Sequence, residues 1–137
     1  MTLSCFERAL ALASDDNMAD VWYNIGQIAI GIGDLGLAYQ SFKIAVAIDN
    51  NHYDSFNNIG VLELRKGNLE QARASFQIPQ RSAPYMFEPF FNGALLAQKM
   101  GHFEESFNLI VKALKAYPEH TDSQEVLKQL VHQLTLL

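Results

Sequence analysis

Apolar positions recur along this chain at helical spacing, in blocks broken by glycine, asparagine and aspartate. Residues 20–29 read as one helix, stopped at 31–33 by two glycines. Residues 35–48 read as a second, with Ala38, Phe42 and Ala45 on its apolar side and a stop at Asp49, Asn50 and Asn51. Adding 34 to these numbers returns the same residue types: Phe56 for Trp22, then Ile59, Gly60, Gly67, Ala72 and Phe76. Adding 34 again gives Phe90, Ala94, Gly101 and Ala113, with Pro118 after them. Ahead of this series, Phe6, Ala9, Leu10 and Ala13 form one stripe at i, i+3, i+4 and i+7, which predicts a helix of the second type without its partner. After it, Leu127, Leu130, Val131 and Leu134 predict a buried stripe opposite polar Gln124, Lys128, His132 and Gln133.

A period of 34 with aromatic, small, small and aromatic residues in fixed order resembles the tetratricopeptide repeat (TPR). The resemblance implies an all-α fold, a right-handed superhelix of antiparallel helix pairs closed by a C-terminal capping helix. The expected division is 1–18, an orphan second helix with a linker; 19–52, 53–86 and 87–120, three repeats; and 121–137, the capping helix. The orphan helix suggests a piece of a longer array, with self-association through Phe6 and Leu10. Leu136 and Leu137 leave a second apolar end for a partner. Gly33, Gly67 and Gly101 are expected at positive φ behind the first helix of each pair, with Asp34 and Asn68 capping the next. Gly26 and Gly60 sit inside helices, where glycine costs ~1 kcal/mol against alanine, so a close helix crossing is expected there. Gly93-Ala94 replaces the Ile-Gly pair in the third copy and predicts a shifted crossing. Pro79 falls where the other copies have Ala45 and Ala113, and predicts a kink or early stop near Ile78 with irregular chain to Pro84.

The chain has 137 residues, 49% of them hydrophobic and 18% charged, enough for one domain with a buried core. A net charge of −5 with scattered basic residues argues against nucleic acid or an anionic membrane as partner. A lone cysteine, Cys5, allows no internal disulfide and fits a reducing cytoplasmic setting. No apolar run approaches the ~20 residues that span a bilayer, so no membrane insertion is expected. No catalytic residues, cofactor or metal site are expected, since phosphate-binding and metal-ligand spacings are missing. His52, His102, His120 and His132 read as solvated turn or surface residues.

Two ladders follow the repeat. Asn24, Asn58 and Asn92 are 34 apart, and in a TPR stack the first helices line the concave groove. Their amides suit the backbone of an extended peptide, with Tyr23, Asn57 and Phe91 beside them and Gln27, Val61 and Leu95 one turn on forming side-chain pockets. The alternative is that each amide bonds only its neighbouring helix. Asp20, Asp54, Glu88 and Asp122 form the second ladder, either an acidic strip or first-turn residues serving helix N-termini. The spacing of Asn17 and Asn51 ahead of two of them favours a capping arrangement. Acids and neutral residues at these places exclude a clamp for a peptide C-terminal carboxylate, which needs Lys and Arg.

Beyond the generic repeat, residues 19–26, 31–34, 50–52, 65–67, 70–74 and 128–130 are similar to the C-terminal repeats of the Bardet–Biedl syndrome protein eight family, a TPR subunit of the BBSome. The likeness runs from about Ala19 to the end and departs at 14–18 and 77–80. It implies a non-catalytic scaffold in a coat-like complex that carries membrane proteins to and from cilia, located in the cytoplasm, the cilium and the basal body. The implied partners are the other BBSome components, including a small extended subunit. The alternative is a peptide-binding TPR segment of another assembly, an intraflagellar-transport subunit or the substrate arm of a glycosyltransferase.

Overall fold

A computed structural model describes residues 17–136, so Phe6, Leu10 and Leu137 of the expected end contacts lie outside the described residues. Seven helices follow one another among these residues: α1 (Met18–Gly31), α2 (Leu35–Ile48), α3 (Tyr53–Lys66), α4 (Leu69–Ser82), α5 (Phe87–Lys99), α6 (Phe103–Ala116) and α7 (Thr121–Thr135). They pack as the pairs α1–α2, α3–α4 and α5–α6, with α7 laid against α6, while α2–α3 and α4–α5 join one pair to the next.

The turns inside the pairs repeat one hydrogen-bond pattern. Asp34 N–H reaches the Ala29 carbonyl at 2.8 Å, Asn68 that of Glu63 at 2.9 Å, and His102 that of Ala97 at 2.8 Å. Gly33, Gly67 and Gly101 sit between them at φ 83°, 83° and 80°, a left-handed conformation that residues with a Cβ rarely adopt. These are Schellman ends, and they account for glycine at the same repeat position three times. The Asp34 carboxylate then caps α2 by accepting from Leu37 N–H at 3.0 Å. Asn68 does not cap α4 as expected, because its amide donates to the Glu63 carboxylate at 2.8 Å instead.

The crossings inside the pairs explain the buried glycines. A Cβ on Gly26 would lie 2.5 Å from the Phe42 ring, and one on Gly60 would lie 2.4 Å from the Phe76 ring. Phe42 and Phe76 are fully buried, each contributing about 1.5–3 kcal/mol of apolar burial. In the third pair the expectation of a shifted crossing gives way to a compensated one. Ala94 stands where Gly60 stood, and the buried ring is replaced by the smaller Ile110 of the same cluster. Gly93 has a different use: a Cβ there would lie 2.4 Å from the Gln80 side-chain nitrogen, which donates to the Pro89 carbonyl at 2.9 Å. The gap at Gly93 thus admits a tie from α4 of the preceding pair.

Pro79 does not end its helix near Ile78; α4 continues to Ser82. The proline stands in the last turn and leaves the Ser75 carbonyl without its helical N–H, but its own carbonyl still accepts from Ala83 N–H at 2.8 Å, and its ring is fully buried at the place of Ala45 and Ala113. In α7 the buried face is Ser123, Val126 and Leu130, with Leu127 and Leu134 partly covered. Val131 lies outside the expected stripe, 47% exposed, because it is one position round the helix from Leu130.

Candidate functional site

The first helices of the pairs, α1, α3 and α5, together with α7, stand side by side and share polar side chains along one wall. Gln27 Nε2 donates to Tyr23 Oη at 3.1 Å, and Asn58 Nδ2 donates to Gln27 Oε1 at 3.1 Å, tying α3 to α1. Asn92 Nδ2 donates to Asn57 Oδ1 at 3.1 Å, tying α5 to α3. Gln98 Nε2 donates to Gln133 Oε1 at 3.1 Å, tying α7 to α5. Two of the ladder amides therefore spend a donor on a neighbouring helix, and Asn58 also hydrogen-bonds the Tyr23 phenol. Asn24 is exposed one turn ahead of Ile28. Burial first, then the negative charge of Asp54 and, less, of Glu88, push the Tyr23 phenol above its ordinary range, against a hydrogen bond to Asn58. Tyr23 is thus a neutral hydroxyl at any physiological pH.

The residues expected to form side pockets are divided. Val61 packs against the Phe76 cluster, and Leu95 and Phe91 against that of Ile110. Tyr23 lies on Phe42, ring centroids 5.7 Å apart, and Asn57 is buried. The open space lies further along the wall, at the N-terminal ends of the same helices. A cleft of about 520 Å³ there is bounded by Asp20, His52, Asp54, Tyr85, Phe87 and Glu88. Three of the four acidic-ladder residues line it, and each occupies the first turn of its helix. The capping arrangement ahead of them is not formed: neither Asn17 nor His52 caps through its side chain, and Asn51 accepts from Tyr53 Oη at 3.2 Å. The acids still meet the positive ends of the helix dipoles, which stabilises them there.

His52 corrects the expectation of solvated histidines. Its side chain is 10% exposed, with Nε2 2.8 Å from Asp20 Oδ1 on the preceding pair and Nδ1 2.8 Å from Ser55 Oγ. Its ring lies 5.2 Å from that of Tyr23. His120, two repeats on, occupies the same place: Nδ1 lies against Ser123 Oγ at 2.5 Å and the ring against Phe87 and Phe91 at 4.6 and 4.8 Å. The signal was present in the sequence as the recurrence of both histidine and serine after 68 residues, His52 with Ser55 and His120 with Ser123. Near the C-terminal end of α3, Glu63 is buried between Tyr39, Asn68 and Lys66. Burial alone would raise its pKa; hydrogen bonds from Asn68 and Tyr39, then Lys66 and Lys43, outweigh that and hold it below the ordinary range. Lys66 Nζ also sits 3.9 Å over the Tyr39 ring.

Among the described residues no group of His, Cys, Asp and Glu is placed to hold a metal, and no described helix is long and apolar enough to cross a membrane. The wall presents hydrogen-bonding amides, one neutral phenol and an acidic mouth.

The tetratricopeptide-repeat family model matches residues 19–52, and the helix pairs of the described residues agree with it. The crystal structure of MamA superposes with a TM-score of 0.81 at 15% identity, over 96% of this chain and 75% of that one. The first TPR of Spaghetti (RPAP3), bound to an HSP90 peptide, superposes with a TM-score of 0.80 at 13% identity, over 85% of this chain and 93% of that one. The chain has the tetratricopeptide-repeat fold. In sequence this TPR chain is 48% identical over 132 residues to mouse tetratricopeptide repeat protein 8, covering 96% of this chain and 26% of the relative. The human protein of the same name is 47% identical over 131 residues, covering 95% and 24%. The TPR chain thus spans about a quarter of the length of these curated relatives. The relatives matched carry the name tetratricopeptide repeat protein 8, and the family name drawn from the sequence is corrected to that one.

Proposed function

We propose that the chain is a non-catalytic scaffold that receives an extended segment of a partner protein along the wall of α1, α3, α5 and α7. One observation carries this reading: the row of amides and phenol from Tyr23 through Gln27 and Asn58, and on through Asn57 and Asn92. Being tied to one another, these side chains have already lost rotamer freedom, so a bound backbone meets groups fixed in advance. Asn24, Asn58 and Asn92 offer the contacts, with Tyr23, Asn57, Phe91, Gln27, Val61 and Leu95 shaping the wall around them. Each bond to a backbone contributes ~0.5–1.5 kcal/mol, so the remaining affinity comes from side chains seated between the rungs. The peptide held by the RPAP3 TPR structure supports the mode of binding by analogy of fold.

In its finer form, the partners are the other subunits of the BBSome, and the scaffold serves the trafficking of membrane proteins at the cilium and basal body. The near-half identity to tetratricopeptide repeat protein 8 supports a partner set shared with that protein. Capture of purified BBSome subunits by the 137-residue chain, compared with its Asn24→Ala, Asn58→Ala, Asn92→Ala triple variant, tests both levels. Retention of a subunit by the parent and its loss in a variant of unchanged helicity is the expected result. Equal capture by both removes the amides from the mechanism, and capture by neither removes the assembly.

A further inference from the structure

A second cleft, of about 640 Å³, lies between the connection after α4 and the last turns of α6. Its chemistry is the reverse of the first. Pro84, Tyr85, Phe90 and Ala116 give it apolar sides, and Lys112 and Lys115 stand over it, with no carboxylate in its lining. Phe90 is 4% exposed and forms the floor, whereas Tyr85 is 74% exposed and forms a free wall. Three residues apart on α6, the two lysines share a face. Lys115 stands in the last turn, where a cation meets the negative end of the helix dipole. Lys112 is a turn earlier and gains little from that end. Neither lysine enters an ion pair among the described residues.

We propose that this cleft binds a short acidic segment of a partner protein that carries an aromatic or large aliphatic anchor. The anchor fills the space beside Tyr85 and over Phe90, and the flanking carboxylates meet Lys112 and Lys115. The volume falls within the ~300–1,000 Å³ usual for a built ligand site. Charge decides the class of occupant: two cations on a chain of net charge −5 attract a local acidic motif, while a membrane or a nucleic acid meets the repulsion of the whole surface. Tyr85 borders both clefts, and the acidic residues of the first, Asp20, Asp54 and Glu88, would repel the same ligand. The two clefts therefore select opposite ligands on the two sides of Tyr85.

The test is fluorescence anisotropy with the 137-residue chain and a fluorescein-labelled synthetic peptide of glutamates and aspartates carrying two phenylalanines. Saturable binding that weakens with salt is expected. Roughly tenfold or greater loss is expected in Lys112→Glu/Lys115→Glu and in Tyr85→Ser, all surface changes whose folding is checked by circular dichroism, with Lys128→Glu leaving affinity unchanged. The proposal is overturned by no saturation at millimolar peptide or by full binding in the lysine double variant. Equal binding of an all-glutamate peptide, or a preference for phosphatidylserine vesicles over the peptide, overturns it too.

Discussion

The first two helix pairs and the third solve the same packing problem in opposite ways. In the first two, glycine on the leading helix faces phenylalanine on the returning one, Gly26 with Phe42 and Gly60 with Phe76. In the third, Ala94 faces Ile110. A methyl is gained on one side and a ring is traded for a branched chain on the other, so the volume between the helices is kept. Glycine in this fold is a property of a pair of positions, and its presence at one is intelligible only with the size of the other.

The sharpest way to break that comparison is Gly60→Ala, which drives a methyl into the Phe76 ring; a loss of about 1–3 kcal/mol is expected in urea unfolding. Adding Phe76→Ile copies the third pair, and the double variant should be more stable than the sum of the two single losses predicts. Strict additivity would show that the crossings are not equivalent. Gly93→Ala should cost less, about 1 kcal/mol, because Gln80 can swing away and forfeit only its bond to the Pro89 carbonyl. A smaller effect is expected at Glu63. Glu63 has its pKa lowered in the folded chain, so its contribution is fully present above the ordinary value of about 4.5 and is lost as pH falls through the lower folded value. Glu63→Gln should therefore flatten the acid limb of the melting-temperature profile below that pH; an unchanged limb would mean that Asn68 and Tyr39 do not favour the ionised form.

The helix pairs were legible because their causes are local. A glycine at positive φ and an apolar stripe at helical spacing each act within a few residues, and the 34-residue period shows them three times, with an aspartate cap in the first copy. The wall was only partly legible, because the contacts between pairs do not follow the period. Gln27 meets Asn58 at a separation of 31, Asp20 meets His52 at 32, and Asn57 meets Asn92 at 35. These offsets come from the rotation of one pair on the next, which no single repeat encodes. For the same reason the asparagines appeared as three equal rungs, whereas Asn58 and Asn92 are bonded to different partners on the preceding helix. Asn68 failed as a cap for a related cause: a buried carboxylate five residues earlier competes for its amide more strongly than a helix N–H does.

The amide wall is the centre of this account, and the side-chain amide resonances of Asn24, Asn58 and Asn92 report on it directly. In a titration of the ¹⁵N-labelled chain with a captured partner segment, these three resonances should shift together and saturate at one stoichiometry. Shifts confined to residues of α2, α4 and α6, with the three amides unmoved, would contradict it.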